Sequence, residues 1–369
     1  MSDPRLTPLA AALPRRVPFV GPEAIERRLG RPFAARLGAN ELPFGPSPKA
    51  TGAMEQAAGQ AWMYPDPESH DLRAALAAHH GVSMENVVVG PGIDGLLGVT
   101  ARLLVAPGER AVMSEGGYPT FAYHVRGTGG VLHTVPYRDD RPDLEALAAA
   151  AHESGAKLVY LANPDNPMGS WHGPEAVSEL LDRLPAHALL VLDEAYEECS
   201  TAVTASPPDP GDRRVIRFRT FSKAYGLAGA RVGYAIGPAD LIGAYDRLRD
   251  HFGVSRIAQA GALAALTDQS HLAGIRRRLA ESAERIASIA RDNGLTPLRG
   301  AANFVAVDCG GNEAFAGRVL TELQARGVFV RQPGVAPLNR CLRISCGRDA
   351  EMSLLARTLP PALDAAGAG

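Results

Sequence analysis

Residues 188–196 read ALLVLDEAY, an apolar run that ends in two carboxylates and a tyrosine. A short apolar run bounded by polar residues is typical of a strand that is buried on both faces. Similar runs recur between about residues 70 and 240, where they alternate with segments whose apolar residues have helical spacing. This alternation predicts an α/β fold with a doubly wound, mostly parallel sheet.

The other elements of this region follow from the same two patterns. Besides 188–192, short β-branched or apolar runs predict strands at 86–89, 110–113, 131–135, 157–161, 215–219 and 232–236. Helical spacing predicts helices at 71–80, 94–104, 144–152 and 174–183. Helices placed between parallel strands would cover both faces of the sheet.

The two ends of the chain have different patterns. A long amphipathic segment at 271–291 precedes strands expected at 304–307 and 342–345, which indicates a smaller α+β domain. The Pro- and Arg-rich beginning predicts an extended arm with one amphipathic stretch at 23–29. Since 369 residues exceed one ordinary domain, we expect two domains and an arm. They are an N-terminal arm that also forms part of the small domain (1–48), a large domain (49–255) and a small C-terminal domain (256–369).

Composition narrows the classes of function. The 38 Lys and Arg residues nearly balance the 40 Asp and Glu residues, so nucleic acid and anionic membranes are not expected partners. No apolar stretch approaches the roughly 20 residues of a transmembrane helix. The four cysteines have neither CxxC pairing nor metal-ligand spacing, which predicts reduced thiols and no metal site. We therefore expect a cytoplasmic protein that acts on small molecules.

Polar groups follow several of the predicted strands, at the sheet edge where α/β proteins bind ligands. A glycine turn at 90–94 opens a helix and suits a phosphate, and the loop at 163–169 carries two side-chain amides. Asp193, Lys223 and Arg231 add a carboxylate, an amine and a guanidinium. Taken singly, each of these has a simpler explanation. The glycines would form an ordinary tight turn, and the residues of 163–169 would form a turn. Asp193 would cap a helix, and Lys223 would be a solvated surface charge.

Taken together, these strand ends supply the groups that pyridoxal phosphate requires. Its aldehyde needs an amine, its ring nitrogen needs an anion, and its phosphate needs N–H, hydroxyl and guanidinium donors. The sequence therefore predicts a pyridoxal-phosphate site, with Lys223 as the amine.

An ordered set of short motifs runs along nearly the whole chain. They are LGANE (37–41), GPSP (45–48), YPDP (64–67), PTF (119–121), NPDNPMG (163–169), DEAY (193–196), SK (222–223) with Arg231, and LRI (342–344). With these motifs the sequence resembles the fold-type I pyridoxal-phosphate enzymes of aminotransferase class I/II, and within these the histidinol-phosphate aminotransferases.

The resemblance implies roles around the cofactor ring. Lys223 would bind the cofactor covalently and move a proton during the reaction. Asp193 would pair with the pyridine nitrogen, and Asn166 and Tyr196 would bond to the ring hydroxyl oxygen. Phe121 would stack on the ring.

The resemblance also implies how the phosphate is held. The main-chain N–H groups of Ile93 and Asp94 would bind it together with Ser222 and Arg231. Tyr64 would reach the phosphate from a second subunit, so the active site would require a homodimer.

The substrate is less closely defined by the motifs. Arg343 would grip its acidic group, with Arg331 as a second clamp, and Asn40 and Phe19 would border it. Phe19 offers no hydroxyl to a phosphate ester, and the family usually has Thr where Met168 stands and an acidic residue where Gly95 stands. A substrate other than histidinol phosphate is thus one of the alternatives.

The implied reaction is the transfer of an amino group between an amino donor and a 2-oxo acid such as 2-oxoglutarate, by ping-pong kinetics. The donor would be histidinol phosphate or a related amino acid, aromatic ones included. The first alternative is a decarboxylase similar to threonine-phosphate decarboxylase. A non-catalytic pyridoxal-phosphate-binding regulator is disfavoured because the short arm leaves no room for a helix-turn-helix domain. A nicotinamide dehydrogenase is disfavoured because 90–95 is not GxGxxG.

Overall fold

The computed structural model describes residues 5–14, 20–200, 202, 204–207 and 209–367. Its strands are β1 (Ala35–Arg36), β2 (Val87–Gly90), β3 (Arg110–Ser114), β4 (Val131–Val135), β5 (Leu158–Ala162), β6 (Leu189–Asp193), β7 (Val215–Thr220), β8 (Gly233–Ile236), β9 (Thr296–Pro297), β10 (Phe304–Asp308), β11 (Val328–Phe329) and β12 (Cys341–Ser345). Its helices are α1 (Pro8–Ala12), α2 (Pro22–Leu29), α3 (Pro48–Ala58), α4 (His70–His80), α5 (Gly92–Leu104), α6 (Thr120–Gly127), α7 (Leu144–Ser154), α8 (Pro174–Arg183), α9 (Ala239–Ala244), α10 (Arg256–Thr267), α11 (Gln269–Asp292), α12 (Glu313–Ala325) and α13 (Asp349–Gly367).

The central sheet has the strand order β2-β8-β7-β6-β5-β3-β4. Strands β7, β6, β5, β3 and β4 are parallel, while β8 runs antiparallel to both β2 and β7. The predicted α/β fold with a mostly parallel sheet is confirmed. The register aligns the ends of the central strands, because Asp193 pairs with Ala162 on one side and with Phe218 on the other.

Side chains alternate between the two faces of this sheet, as strand geometry requires. In β5, Leu158 and Tyr160 belong to the apolar cluster under α5 and α6, which includes Leu97 and Val125. Val159 of the same strand belongs to the cluster under α7 and α8. Both faces are covered by helices, so the strand ends are the part of the sheet that remains open to ligands.

The smaller layer is built around the antiparallel sheet β12-β10-β9. Helices α11 and α12 pack against it, and α13 packs on both of these helices, within one extended apolar core. The beginning of the chain joins this layer, because β1 pairs in parallel with β11. The arm therefore contains more regular structure than its composition predicts, namely α1, α2 and β1 rather than α2 alone.

Among the described residues, the structure shows no helix with the length and apolar character needed to span a bilayer.

Candidate active site

A cavity of about 300 Å³ opens at the carboxyl ends of β5, β6 and β7, between the central sheet and the smaller layer. Eleven of the residues that the motifs predict for the site line it. They are Asn40, Ile93, Asp94, Asn166, Asp193, Tyr196, Ser222, Lys223, Arg231, Arg331 and Arg343. The sheet register is what brings residues so distant in sequence to one place.

Lys223 follows β7 and projects its amine into the cavity. Its Nζ donates to the main-chain oxygen of Asn40 at 3.2 Å and lies 5.6 Å from the ring centre of Tyr196. Burial, assisted by the nearby Arg343 guanidinium, lowers the pKa of Lys223 to about 8. A large share of this amine is therefore neutral near pH 8, the form that can attack a carbonyl or accept a proton.

Asp193 ends β6 at the floor of the cavity. One of its carboxylate oxygens accepts from the Tyr160 hydroxyl at 2.7 Å, and the other accepts from the Ala195 main-chain N–H at 3.0 Å. Burial nevertheless raises the pKa of Asp193 to about 6. A cation placed beside this carboxylate would stabilise its ionised form.

The N-terminus of α5 and the Arg231 guanidinium form a cradle of donors. Gly92 begins α5 with φ at 81°, and a Cβ there would lie 2.5 Å from Arg231 Nη2. Arg231 Nη1 donates to Ser222 Oγ at 3.3 Å and to the Ala228 main-chain oxygen at 3.1 Å. Free N–H groups, the positive end of the helix dipole and a guanidinium together suit a phosphate.

Arg343 and Arg331 lie on the opposite side of the cavity. Arg343 donates to Asn166 Oδ1 at 2.6 Å and to the Gly38 main-chain oxygen at 2.9 Å, but its buried Nε has no partner among the described residues. Arg331 donates to the Val20 main-chain oxygen at 2.8 Å. Burial lowers the pKa of both guanidinium groups, so an anion in this part of the cavity would be stabilised.

The structure places Phe121 away from the cavity, so its predicted stacking on the cofactor stays a prediction. Phe121 lies on the buried face of α6, is 0% exposed and stacks on Tyr160 with the ring centres 4.8 Å apart. It does not line the cavity, whereas Tyr118 does, with its hydroxyl 3.2 Å from Asp94 Oδ2. The sequence signal for Tyr118 was its place in the loop that follows β3, before α6 begins.

Tyr64, also predicted for the site, does not line this cavity. Tyr64 has 78% of its surface exposed, and its main-chain oxygen accepts from Arg256 Nη2 at 2.8 Å. Phe19 lies outside the described residues.

The sequence and the fold are similar to those of known proteins. Residues 35–359 match the sequence profile described as aminotransferase class I and II. The chain is 35% identical over 341 residues to the histidinol-phosphate aminotransferase of Moorella thermoacetica, with 91% of this chain and 87% of that protein covered. It is 36% identical over 340 residues to that of Haloferax volcanii, with 91% and 92% covered.

Solved structures give a similar result. A crystal structure of histidinol-phosphate aminotransferase from Sinorhizobium meliloti in complex with pyridoxal-5'-phosphate superposes with a TM-score of 0.95, at 54% identity and with 98% of each chain covered. Aspartate aminotransferase from Thermus thermophilus with maleate shares the fold, with a TM-score of 0.80, 23% identity and 92% and 94% covered. The fold and the cavity define a fold-type I enzyme. The chain belongs to the family of class I and II aminotransferases, which confirms the resemblance seen in its motifs.

Proposed function

We propose that this chain is a pyridoxal-phosphate-dependent aminotransferase that transfers the amino group of histidinol phosphate to a 2-oxo acid such as 2-oxoglutarate. The observation that carries the proposal is the position of the Lys223 amine. It lies in one cavity with Asp193, with the donor cradle of Gly92 and Arg231, and with Arg343. Relatives named histidinol-phosphate aminotransferases support the choice of amino donor.

The residues of the cavity fit pyridoxal phosphate. A protonated pyridine nitrogen would be the cation that the buried Asp193 carboxylate lacks. The phosphate would bind at the start of α5, to the main-chain N–H groups of Ile93 and Asp94 and to Ser222 and Arg231. The space beside Arg231 exists because Gly92 carries no side chain.

Tyr118 takes the place that the motifs gave to Phe121. Its ring lines the cavity, and we expect it to stack on the cofactor. Asn166 Nδ2 donates to the Tyr196 hydroxyl at 3.2 Å, which sets both groups side by side for the cofactor's ring oxygen.

When bound, the cofactor supplies an electron sink for the bond that breaks at the substrate's α-carbon. The chain's own contribution is proton transfer and orientation. Lys223, with its pKa lowered to about 8, is suited to take the proton from the α-carbon of the substrate and to deliver it to the C4′ carbon of the cofactor. Asp193 keeps a negative charge beside the ring nitrogen, and Tyr196 and Asn166 orient the ring.

Arg343 and Arg331 would hold the acidic group of each substrate in turn. The phosphate of histidinol phosphate and a carboxylate of 2-oxoglutarate both accept paired guanidinium donors. The unpaired Nε of Arg343 is the donor available for this bond. One anion site that serves two substrates in succession agrees with ping-pong kinetics.

We further propose a homodimer in which Tyr64 completes the phosphate site of the other subunit. Tyr64 and Trp62 are 78% and 83% exposed, unusual values for aromatic side chains of a folded chain.

We also propose that the chain is divided into an arm (1–48), a large domain (49–255) and a small domain (256–369). A cytoplasmic location is supported by the four buried cysteines, all of them free thiols.

The test is a panel of amino donors assayed with 2-oxoglutarate and purified protein loaded with pyridoxal phosphate. We expect histidinol phosphate to give glutamate with the largest kcat/KM, and double-reciprocal plots at several 2-oxoglutarate concentrations to be parallel. Lys223→Ala protein serves as the background. Release of CO2 without glutamate would instead show a decarboxylase, and a higher kcat/KM for an unphosphorylated aromatic amino acid would replace the proposed donor.

A further inference from the structure

Asn40 has an unusual conformation beside the Lys223 amine. Its φ is 54°, in the left-handed region that non-glycine residues seldom occupy, and its exposed fraction is only 2%. A buried residue is held in such a conformation only when its surroundings fix it. The contacts that fix Asn40 come from two residues far away in the sequence.

The first of these residues is Asn303, which directly precedes β10 and is completely buried. Its Nδ2 donates to the main-chain oxygen of Asn40 at 3.0 Å, the same oxygen that accepts from Lys223 Nζ at 3.2 Å. Asn303 Oδ1 has no partner among the described residues. An unpaired buried oxygen lowers stability, so an amide at this position is not explained by packing alone.

The second residue is Ser345, the last residue of β12. Its Oγ accepts from the Asn40 main-chain N–H at 3.0 Å and donates to Asn40 Oδ1 at 2.9 Å. Because the serine hydrogen is directed to Oδ1, the amide nitrogen of Asn40 must face the other way. There, Nδ2 donates to the Tyr196 hydroxyl at 2.9 Å.

The Tyr196 hydroxyl therefore receives two N–H donors, from Asn40 and from Asn166. Asn166 has its own orientation fixed, since its Oδ1 accepts from Arg343. With both lone pairs of the phenol oxygen occupied, its hydrogen is left to donate into the cavity.

We propose that Asn303 and Ser345 are positioning residues that hold Asn40 so that its main-chain oxygen receives the free amine of Lys223 and its side-chain amide directs the Tyr196 hydroxyl into the cavity. This inference rests on the proposed function, in which Lys223 must alternate between a cofactor-bound and a free amine. Each time the Lys223 amine is released from the cofactor, a fixed hydrogen-bond acceptor would hold it in one position in the cavity.

The test measures the Lys223 amine before cofactor is added. The chain has three lysines, Lys49, Lys157 and Lys223, so acetylation by dilute acetic anhydride can be followed at each by peptide mass spectrometry. In Ser345→Ala and in Asn303→Ala protein, the Asn40 oxygen loses its support and stabilises the charged amine less. We expect the apparent pKa of Lys223 to fall by about half a unit, which raises its acetylation rate roughly threefold at pH 7.

Other charges around Lys223 are the same in every variant. Arg343 lowers its pKa, while Cys199, Asp94 and Glu41 act in the opposite direction. The exposed amines of Lys49 and Lys157 provide the internal reference, because they form ion pairs with Asp268 and Glu109. Any shift confined to Lys223 must then come from the change in its acceptor.

Ser282→Ala is the matched control. Ser282 is also buried, and its Oγ both accepts from the Gly347 main-chain N–H and donates to the Gly347 main-chain oxygen, at 2.9 Å each. Its loss should lower the melting temperature as Ser345→Ala does, but leave Lys223 acetylation unchanged. Ser345→Thr retains a hydroxyl and should restore the wild-type Lys223 rate.

Unchanged Lys223 titration in both Ser345→Ala and Asn303→Ala protein, with stability lowered as in Ser282→Ala, would overturn the inference. In the loaded protein, the pH midpoint of the cofactor's visible absorbance should shift in the same two variants and not in the control. Wild-type protein that retains no pyridoxal phosphate would refute the proposed function instead. The acetylation result is independent of that outcome.

Discussion

Tyr118 and Phe121 lie close together in the chain but differ in environment. Phe121 is fully buried against Tyr160, whereas Tyr118 lines the cavity. We expect Phe121→Ala to lower the free energy of unfolding by about 3–5 kcal/mol, the usual cost of truncating a buried phenylalanine. Tyr118→Ala should instead weaken cofactor binding.

Chemical denaturation and the dissociation constant of pyridoxal phosphate, measured on both variants, separate these two effects. A Phe121→Ala protein with unchanged stability but lost cofactor affinity would return the stacking role to Phe121.

Tyr118 and Phe121 also show how far single site residues can be predicted from the sequence. The PTF motif placed an aromatic ring near the cavity, but which of two neighbouring rings faces it depends on where α6 begins. The partners of Asn40 could not be predicted at all, because Ser345 is 305 residues away. By contrast, Asp193 was recognisable because it directly follows the apolar run 189–192. Lys223 was recognisable because the other strand ends supply the remaining groups that pyridoxal phosphate requires.

Helix α5 presents its first turn to the cofactor's phosphate in the proposed site. Gly92 has φ at 81°, and an added Cβ would lie 2.5 Å from Arg231 Nη2. Gly92→Ala should therefore displace Arg231, strain the turn and weaken pyridoxal-phosphate binding by roughly tenfold or more. Equilibrium dialysis measures this directly.

Gly243→Ala is the control for this change. Gly243 lies in helix α9, and a Cβ there would meet nothing within 4 Å. Gly243→Ala protein should bind pyridoxal phosphate with the affinity of the wild type. Equal affinity in Gly92→Ala protein would show that the phosphate does not bind at this helix end.

Most elements were predictable because apolar periodicity differs between strands and helices. Strand β4 and helix α8 have the predicted bounds, and the other strands of the central sheet shift by a residue or so at their ends. The antiparallel direction of β8 was not predictable, since a strand's own sequence does not determine the direction of its neighbour. Pairing of β1 with β11 was missed because each has only two residues.

Across the whole molecule, Arg340 joins the two parts that we assign to separate domains. It binds Asp140, in the turn after β4, through two bonds of 3.0 and 2.7 Å, and Asp308, at the end of β10, at 2.7 Å. Asp140→Ala should remove a two-pronged ion pair that is only about a quarter exposed. We expect the free energy of unfolding to fall by about 1–2 kcal/mol.

Asp246→Ala provides the comparison, because Asp246 forms an ion pair with Arg249 from a side chain that is 62% exposed. That change should cost no more than about 0.5 kcal/mol. Denaturant titration of both variants and of the wild type measures these changes in the free energy of unfolding. Equal, small losses would mean that Arg340 contributes little to the joint between the two layers.

The central claim is that Lys223 carries the cofactor, and the scarcity of lysine in this chain makes it directly testable. Only Lys49 and Lys157 compete with it, and both have exposed side chains, at 67% and 43%. The measurement is borohydride reduction of the protein loaded with pyridoxal phosphate, followed by peptide mass spectrometry. We predict the reduced cofactor on the peptide that contains Lys223 and on no other. Cofactor fixed to Lys49 or Lys157, or to none of the three, would contradict the account.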